Sequence, residues 1–256
     1  MMPFFEQNRA VRINRQGKLD FPLHIHDAVE MVYVLAGSST VIWEGRRQAL
    51  GPGDLFLCFP GQVHGYESTR DFDGFLLVAG TTLLSDCKAM LEKQQPAQPV
   101  IHPPQEAAGK IRALLEMMHA DRKTTAPSLL RGYSLVLLNK LVALTGLVPR
   151  SADTDALQAV LRYISLHYRE NITRRDICRA VGYSESYISH LFTRQMQVSL
   201  WDYITDLRLD DARQQLKATD LPVGQIALSL GFPSVRSFNR CFSQRMHMTP
   251  SQYRQR

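Results

Sequence analysis

The sequence predicts an α+β multidomain chain: an N-terminal antiparallel β-barrel or sandwich, a short helical segment, and an all-α C-terminal domain. Three observations predict this. Residues 30–80 alternate short apolar runs with Gly and Pro turns, no convincing strand signal follows residue 156, and the C-terminal part contains one helical pattern twice.

The 256 residues are 45% hydrophobic and 21% charged, a balance that supports a buried core and excludes intrinsic disorder. Lys and Arg number 30 against 24 Asp and Glu, for a formal charge of +6, a mild pointer to a polyanionic partner. The start, Met1-Met2-Pro3-Phe4-Phe5-Glu6, lacks the basic and apolar regions of a signal peptide. No apolar run nears the roughly 20 residues of a membrane span. Cys58, Cys87, Cys178 and Cys241 are scattered without paired spacing. A reduced, cytoplasmic protein with no membrane partner is the expectation.

The strand signals are Met31 to Leu35, Val41-Ile42-Trp43, Leu55-Phe56-Leu57 and Phe75 to Val78, punctuated at Gly37, Gly45, Gly51-Pro52-Gly53, Pro60-Gly61 and Gly74. Apolar enrichment with a turn every eight to twelve residues is the mark of an antiparallel barrel or sandwich. Residues 1–85 are assigned to it. A Pro-bearing connector at 94–104 follows, then helices over 105–119 and 128–147, so that residues 86–149 form a connector and helical segment. The second helix carries Leu130, Ser134, Leu137, Leu141 and Leu144 on one stripe, with Leu129, Tyr133, Val136 and Val142 widening it. Packing on its own barrel and a dimer seam account for that stripe equally well. The polar stretch 149–155 reads as an interdomain linker, and residues 150–256 as the helical domain.

Within that domain Ile177, Gly182 and Tyr183 align with Ile226, Gly231 and Phe232. With one extra residue in the second copy, Ile188, Leu191, Phe192, Met196 and Tyr203 align with Phe238, Cys241, Phe242, Met246 and Tyr253. Each copy is a short helix, a Gly-aromatic turn and a second helix, the turn glycine allowing the positive φ of a steep crossing. Ser184 and Ser234 are placed to cap the second helices. A helix over 200–217 separates the copies by roughly 27 Å, about one turn of DNA. No Asp or Glu follows Asp220, whereas Arg236, Arg240, Arg245, Arg254 and Arg256 do. Two helices presented to successive major grooves of double-stranded DNA is the reading this supports.

Helix phase predicts which side chains face the duplex. In the second copy these are Val235, Arg236, Asn239 and Arg240. In the first they are Glu185, Ser186, Ser189 and His190, a less basic set. Arg194 and Arg245, a turn further on, suit phosphates. Arg pairs with guanine and Asn with adenine, although backbone contact or plain solvation accounts as well for any one of these residues.

Over its last hundred or so residues the sequence closely resembles the DNA-binding domain of the AraC/XylS family of bacterial transcription regulators. The residues carrying this are Ile164, Ile177, Gly182-Tyr183-Ser184, Ser186-Tyr187-Ile188-Ser189, Leu191-Phe192, Tyr203-Ile204, Arg208-Leu209, Ala212, Ile226-Ala227, Gly231-Phe232, Ser237-Phe238, Phe242 and Thr249 to Arg254. Cys178 and Pro233 depart from the pattern, and Gln197 and His247 both replace a glycine that usually ends the recognition helix. A non-glycine residue there predicts a strained left-handed backbone.

His24-Ile25-His26, Glu30 and Gly37, then Pro60 to His64, resemble the two cupin motifs. The AraC/XylS resemblance implies a cupin-like effector barrel, a helical dimerisation segment, a homodimer, and an activator that works with RNA polymerase at promoter DNA. An effector such as a sugar or other small metabolite would meet His24, His26, Glu30 and His64, with Tyr33, Trp43 and Tyr66 as pocket walls, although strand core is the commoner fate of such aromatics. By the cupin resemblance the same four polar residues form a ligand set for Zn, Fe, Mn or Ni. A metal-free pocket is favoured over that set, and a non-enzyme over a metal-dependent cupin enzyme with an attached DNA-binding module. A third reading, a barrel serving only dimerisation, requires a filled apolar interior.

Overall fold

Inward and outward side chains alternate along the N-terminal strands and build two layers of core. The structure, a computed structural model, describes residues 5–6, 11–123 and 127–255. Its strands run β1 (Phe5–Glu6), β2 (Val11–Gln16), β3 (Phe21–His26), β4 (Ala28–Ala36), β5 (Ser39–Trp43), β6 (Arg46–Leu50), β7 (Leu55–Cys58), β8 (His64–Ser68) and β9 (Asp73–Gly80). A 3₁₀ segment (Thr81–Cys87), α1 (Lys88–Lys93), β10 (Gln94–Pro96), β11 (Val100–Ile101), α2 (Gln105–Asp121), α3 (Pro127–Thr145) and β12 (Leu147–Pro149) follow. Helices α4 (Ala152–His167), α5 (Arg174–Val181), α6 (Glu185–Met196), α7 (Leu200–Ala218), α8 (Val223–Ser229), α9 (Val235–Met246) and α10 (Pro250–Gln255) complete the chain. It divides into two units, Pro3–Asp155 and Ala156–Arg256.

In the first unit the strands form two five-stranded sheets, ordered β1-β3-β8-β5-β6 and β11-β7-β4-β9-β2. The cupin-like architecture is thus a double-sheet sandwich instead of a single closed barrel. Val32, Val34, Phe56 and Cys58 meet Val41, Trp43, Leu50 and Tyr66 between the sheets. On the outer face of the second sheet, Met31, Tyr33, Leu55, Leu57, Phe75 and Leu77 lie under α2 and α3 through Ile111, Leu115, Met118, Leu137 and Leu141. β4 is therefore buried on both faces, which is why its sequence is a nearly continuous apolar run. Each of these fully buried aliphatic and aromatic side chains stabilises the unit by about 1.5–3 kcal/mol.

The strands that the apolar runs did not announce are those with polar residues on one face. β2 alternates Arg12 and Asn14 with buried Ile13, and β6 carries exposed Arg46 and Arg47 at a sheet edge. β11 pairs with β7, so the sheet takes in residues well beyond position 85. The linker expected over 149–155 is corrected. Leu147–Pro149 pairs with Gln94–Pro96, and Ser151 Oγ accepts from Thr154 N at 3.1 Å where α4 begins. Asp153 and Asp155 then fall in the first turn of α4, where the helix dipole favours acids. On α3, Leu130, Leu137, Leu138 and Leu141 are buried against their own unit, whereas Leu129, Val136 and Leu144 are exposed.

The second unit repeats helix, turn, helix. Gly182 and Gly231 both adopt φ of 76°. Ser184 Oγ accepts from Tyr187 N and Ser234 Oγ from Ser237 N, so both serines cap the second helix of their copy. Gln197 and His247 end those helices in the left-handed region, with φ of 56° and 55°, as the absence of glycine there predicts. Phe232, Phe238 and Phe242 form the second copy's core with Leu209, Ala212, Leu216, Ile226 and Leu230.

Candidate ligand cavity and nucleic-acid interface

Period-two geometry places the polar cluster. His24 and His26 share a face of β3, and His64 and Tyr66 share a face of β8. His24 pairs directly with His64 across the strands. Gly65 permits the close approach of β3, because a Cβ there would stand 2.9 Å from Leu23 N and Phe21 O. Glu30 reaches the cluster from the inner face of β4. Its carboxylate accepts from Tyr66 Oη at 2.6 Å and bonds His26 Nε2 at 2.9 Å, while His64 Nε2 lies 3.3 Å away. His24, His26, Glu30 and His64 are all buried.

The chemistry of these groups follows from their enclosure. Burial would raise the Glu30 carboxyl, yet His64 and His26 outweigh it and hold the group well below the usual carboxylate range. Burial, reinforced by Glu30, pushes Tyr66 well above an ordinary phenol, so it stays a donor. Burial, then His64, lowers His24 to about 3.

An acid response follows. Native His24 stays neutral down to about pH 3, while the unfolded chain takes up that proton below about 6.5. Its neutral burial is without penalty above pH 6.5 and costs about 1.4 kcal/mol per pH unit as the pH falls from there. The depressed Glu30 works in the same direction below its unfolded value. The melting temperature of the first unit, read by Trp43 fluorescence in a Trp201→Phe background, should fall between pH 7 and 5. His24→Gln should flatten that slope, and an unchanged slope in the variant would contradict this account.

A cavity of about 220 Å³ opens beside the cluster, lined by Arg12, Asn14, Leu19, Phe21, His24, His26, Glu30, Tyr66, Leu76 and Val78. Of the residues expected at an effector, His24, His26, Glu30 and Tyr66 line this cavity. His64 belongs to the cluster but is not among the lining residues. Two aromatic expectations are corrected. Tyr33 sits an odd number of residues from Glu30, so it faces the opposite side of β4 and packs under α2. Trp43 packs against Phe56 in the inter-sheet core, with ring centroids 6.1 Å apart, and does not line the cavity. Arg12, Asn14, Leu19, Phe21, Leu76 and Val78 were missed. The alternation of Arg12, Ile13 and Asn14 was the available signal.

The donor set suits a divalent transition metal: three imidazoles and one carboxylate, all offering ligand atoms within 4.8 Å of one another. His26 Nδ1 and His64 Nε2 are buried without a hydrogen-bond partner.

On the second unit, Ser186, Ser189, His190 and Arg194 are exposed on α6, and Arg236, Asn239 and Arg240 on α9. Two of the residues expected at DNA have partners inside the unit. Val235 is half-buried and packs against the Phe238 core. Arg245 bridges onto α7, donating from Nε to Asp206 at 2.9 Å and from a terminal nitrogen to Asp202 at 3.0 Å. The register of α9 on α7 makes this pair, which the sequence phase alone does not reveal. Arg245→Ala should lower the melting temperature by the equivalent of about 1 kcal/mol and leave the salt dependence of DNA binding unchanged. A flatter salt slope would restore Arg245 to the interface.

The chain thus joins a double-sheet domain with a cavity to a pair of helix-turn-helix copies. Residues 10–136 match the model of an AraC-like ligand binding domain, and residues 177–256 that of a helix-turn-helix domain. The chain belongs to the AraC/XylS family of transcription regulators. Across 98% of its length it is 26% identical to the HTH-type transcriptional activator RhaR of Pectobacterium carotovorum, covering 92% of that protein. It is also 36% identical over 102 residues to an uncharacterized HTH-type transcriptional regulator of Staphylococcus aureus, of whose length the chain spans only 14%. ToxT from Vibrio cholerae aligns over 96% of this chain and 98% of its own, with a TM-score of 0.51 at 15% identity. ToxT bound to (E)-4-(8-methylnaphthalen-1-yl)but-3-enoic acid aligns with a TM-score of 0.54 at 16% identity. At such identities the likeness speaks for the fold. Among the described residues, no helix is long and apolar enough to cross a membrane.

Proposed function

We propose that the chain is a cytoplasmic, homodimeric activator whose occupancy of promoter DNA responds to a small metabolite in the first unit's cavity. The observation that carries the reading is that cavity. Its lining joins polar Arg12, Asn14, His24, His26, Glu30 and Tyr66 to apolar Leu19, Phe21, Leu76 and Val78. A small ligand with hydroxyl or carboxyl groups and an apolar face, a sugar among them, matches this lining. An interior serving only dimerisation would be filled and apolar. RhaR is named as an activator, which supports the same sign here through contact with RNA polymerase. Leu129, Val136 and Leu144, exposed at intervals of seven and eight residues along α3, support a subunit seam.

Arg150 gives the cavity a route to the domain boundary. Its buried guanidinium donates to Pro60 O at 2.8 Å and to Leu91 O at 3.1 Å, and pairs with Asp155 at 2.9 Å. Gly61 N, next in chain, donates to His26 O at 3.0 Å. A ligand that moves β3 would shift the Pro60–Gly61 turn and, through Arg150, the first turn of α4.

The test is enrichment of fragmented genomic DNA from the source organism by the purified full chain. Asymmetric sites should be enriched, and their neighbouring genes should point to the effector. No enrichment at low salt, where phosphate contacts are strongest, would overturn the reading.

A further inference from the structure

We propose that Glu185, held in place by Arg174, reads a cytosine in the major groove, while Arg174 contacts a neighbouring backbone phosphate. This rests on the reading of α6 as a DNA-facing helix and names what its first residue recognises.

The repeat itself isolates the feature. In each copy the first residues of the two helices are equivalent positions. In the second copy they are Val223 and Val235, both half-buried against that copy's apolar core. A Cβ on Gly224 would stand 3.3 Å from Val235 Cγ2, so the start of α8 adjoins the start of α9. In the first copy the same two places hold Arg174 and Glu185, and Arg174 Nη1 donates to Glu185 Oε1 at 2.7 Å. Apolar residues therefore suffice to build the fold at this point. An ion pair whose side chains are each 51% exposed adds little stability. Ser189, one turn along α6 from Glu185, lines the same recess as both members of the pair. The pair thus lies on the face of α6 expected to meet the duplex.

The chemistry of the groove selects the base. Cytosine presents its N4 amino group as a donor there, and a carboxylate accepts from it. Adenine sets its own amino group beside the N7 acceptor, and guanine offers only acceptors, so both repel a carboxylate. A carboxylate on a polyanion also needs a neighbouring cation. Arg174 supplies it, and its guanidinium has more donors than the bond to Glu185 uses. The first helix of such a unit crosses the DNA backbone, which puts a phosphate within the reach of Arg174. Exposed Arg175 and Arg179 on the same helix keep the surroundings positive.

Sites should be selected from randomised duplex DNA by the full chain and by variants shown folded by circular dichroism. The wild type should select two sequence blocks about one helical turn apart, one of them with a required C·G pair. Glu185→Gln should lower discrimination at that pair at least about fivefold and leave the other block as it was. Arg174→Ala should weaken binding to every sequence, lower the salt slope by about 0.9 and relax the same pair. Arg174→Val/Glu185→Val, which copies the second repeat, should fold normally and show both losses. Unchanged preference at every position in Glu185→Gln and in the double variant would overturn the proposal and leave the regulator standing, as would an unchanged salt slope in Arg174→Ala. A role for Glu185 in helix stability alone would lower the melting temperature and move neither readout. A wild type that selects no sequence would remove the DNA reading and the proposal together.

Discussion

Gly231→Ala is expected to destabilise the C-terminal unit by about 2–4 kcal/mol, whereas Gly182→Ala should cost it only about 1 kcal/mol. The two glycines are equivalent in the repeat and share the same φ of 76°, so the left-handed penalty is common to both. Their surroundings differ. A Cβ on Gly182 would meet nothing within 4 Å, whereas one on Gly231 would stand 2.7 Å from both Arg169 O and Glu170 O. Those carbonyls have little freedom to retreat. Buried Arg208 holds the same turn, donating to Tyr168 O at 2.6 Å and to Glu170 O at 2.8 Å. Overpacking against fixed backbone adds about 1–3 kcal/mol to the conformational strain, for a total of about 2–4 kcal/mol, a large share of the 5–15 kcal/mol that holds an ordinary domain together. Circular dichroism melts of the two variants decide the matter, and equal losses would refute the packing argument.

The paired change Arg236→Ala/Arg240→Ala should weaken specific DNA binding at least about thirtyfold, since two guanidinium contacts to base edges contribute about 1–3 kcal/mol each. Both arginines are exposed at the start of α9 on a stretch without acids after Asp220. Removing them should change the melting temperature by no more than about 0.5 kcal/mol in equivalent stability. Single variants separate their roles. An arginine that reads a base relaxes preference at one position, whereas one on a phosphate weakens every sequence alike and lowers the salt slope by about 0.9. Full affinity in the folded double variant would move the interface off α9.

The helical unit was more legible than the sheet unit for a physical reason. Caps and turns are local: Ser184, Ser234 and the two glycines act within a few residues, and a repeat displays them twice. Strands obtain their partners from far away. The polar face of β2 hid it as a strand, although Arg12 and Asn14 line the cavity. The edge position of β6 let it remain Arg-rich, and β12 was divided between the end of the expected helix and the start of the expected linker because its partner, Gln94–Pro96, lies some fifty residues earlier. The aromatic walls failed for a related reason. Tyr33 was judged by type, when its odd spacing from Glu30 already put it on the other face of β4.

By itself the sequence determined the domain styles, the double helix-turn-helix, its serine caps, its exposed arginines and the four polar residues of the cupin-like motif. The first four rest on short-range pattern and residue chemistry, and the last on resemblance to the cupin motifs. Only the tertiary structure decided that His64 Nε2 would face Glu30 without a hydrogen-bond partner, that Arg245 would be taken by Asp202 and Asp206, and that Arg150 would join Pro60 to Asp155. Each depends on which distant backbone a side chain meets, and that is set by strand register and helix packing, which no local spacing encodes.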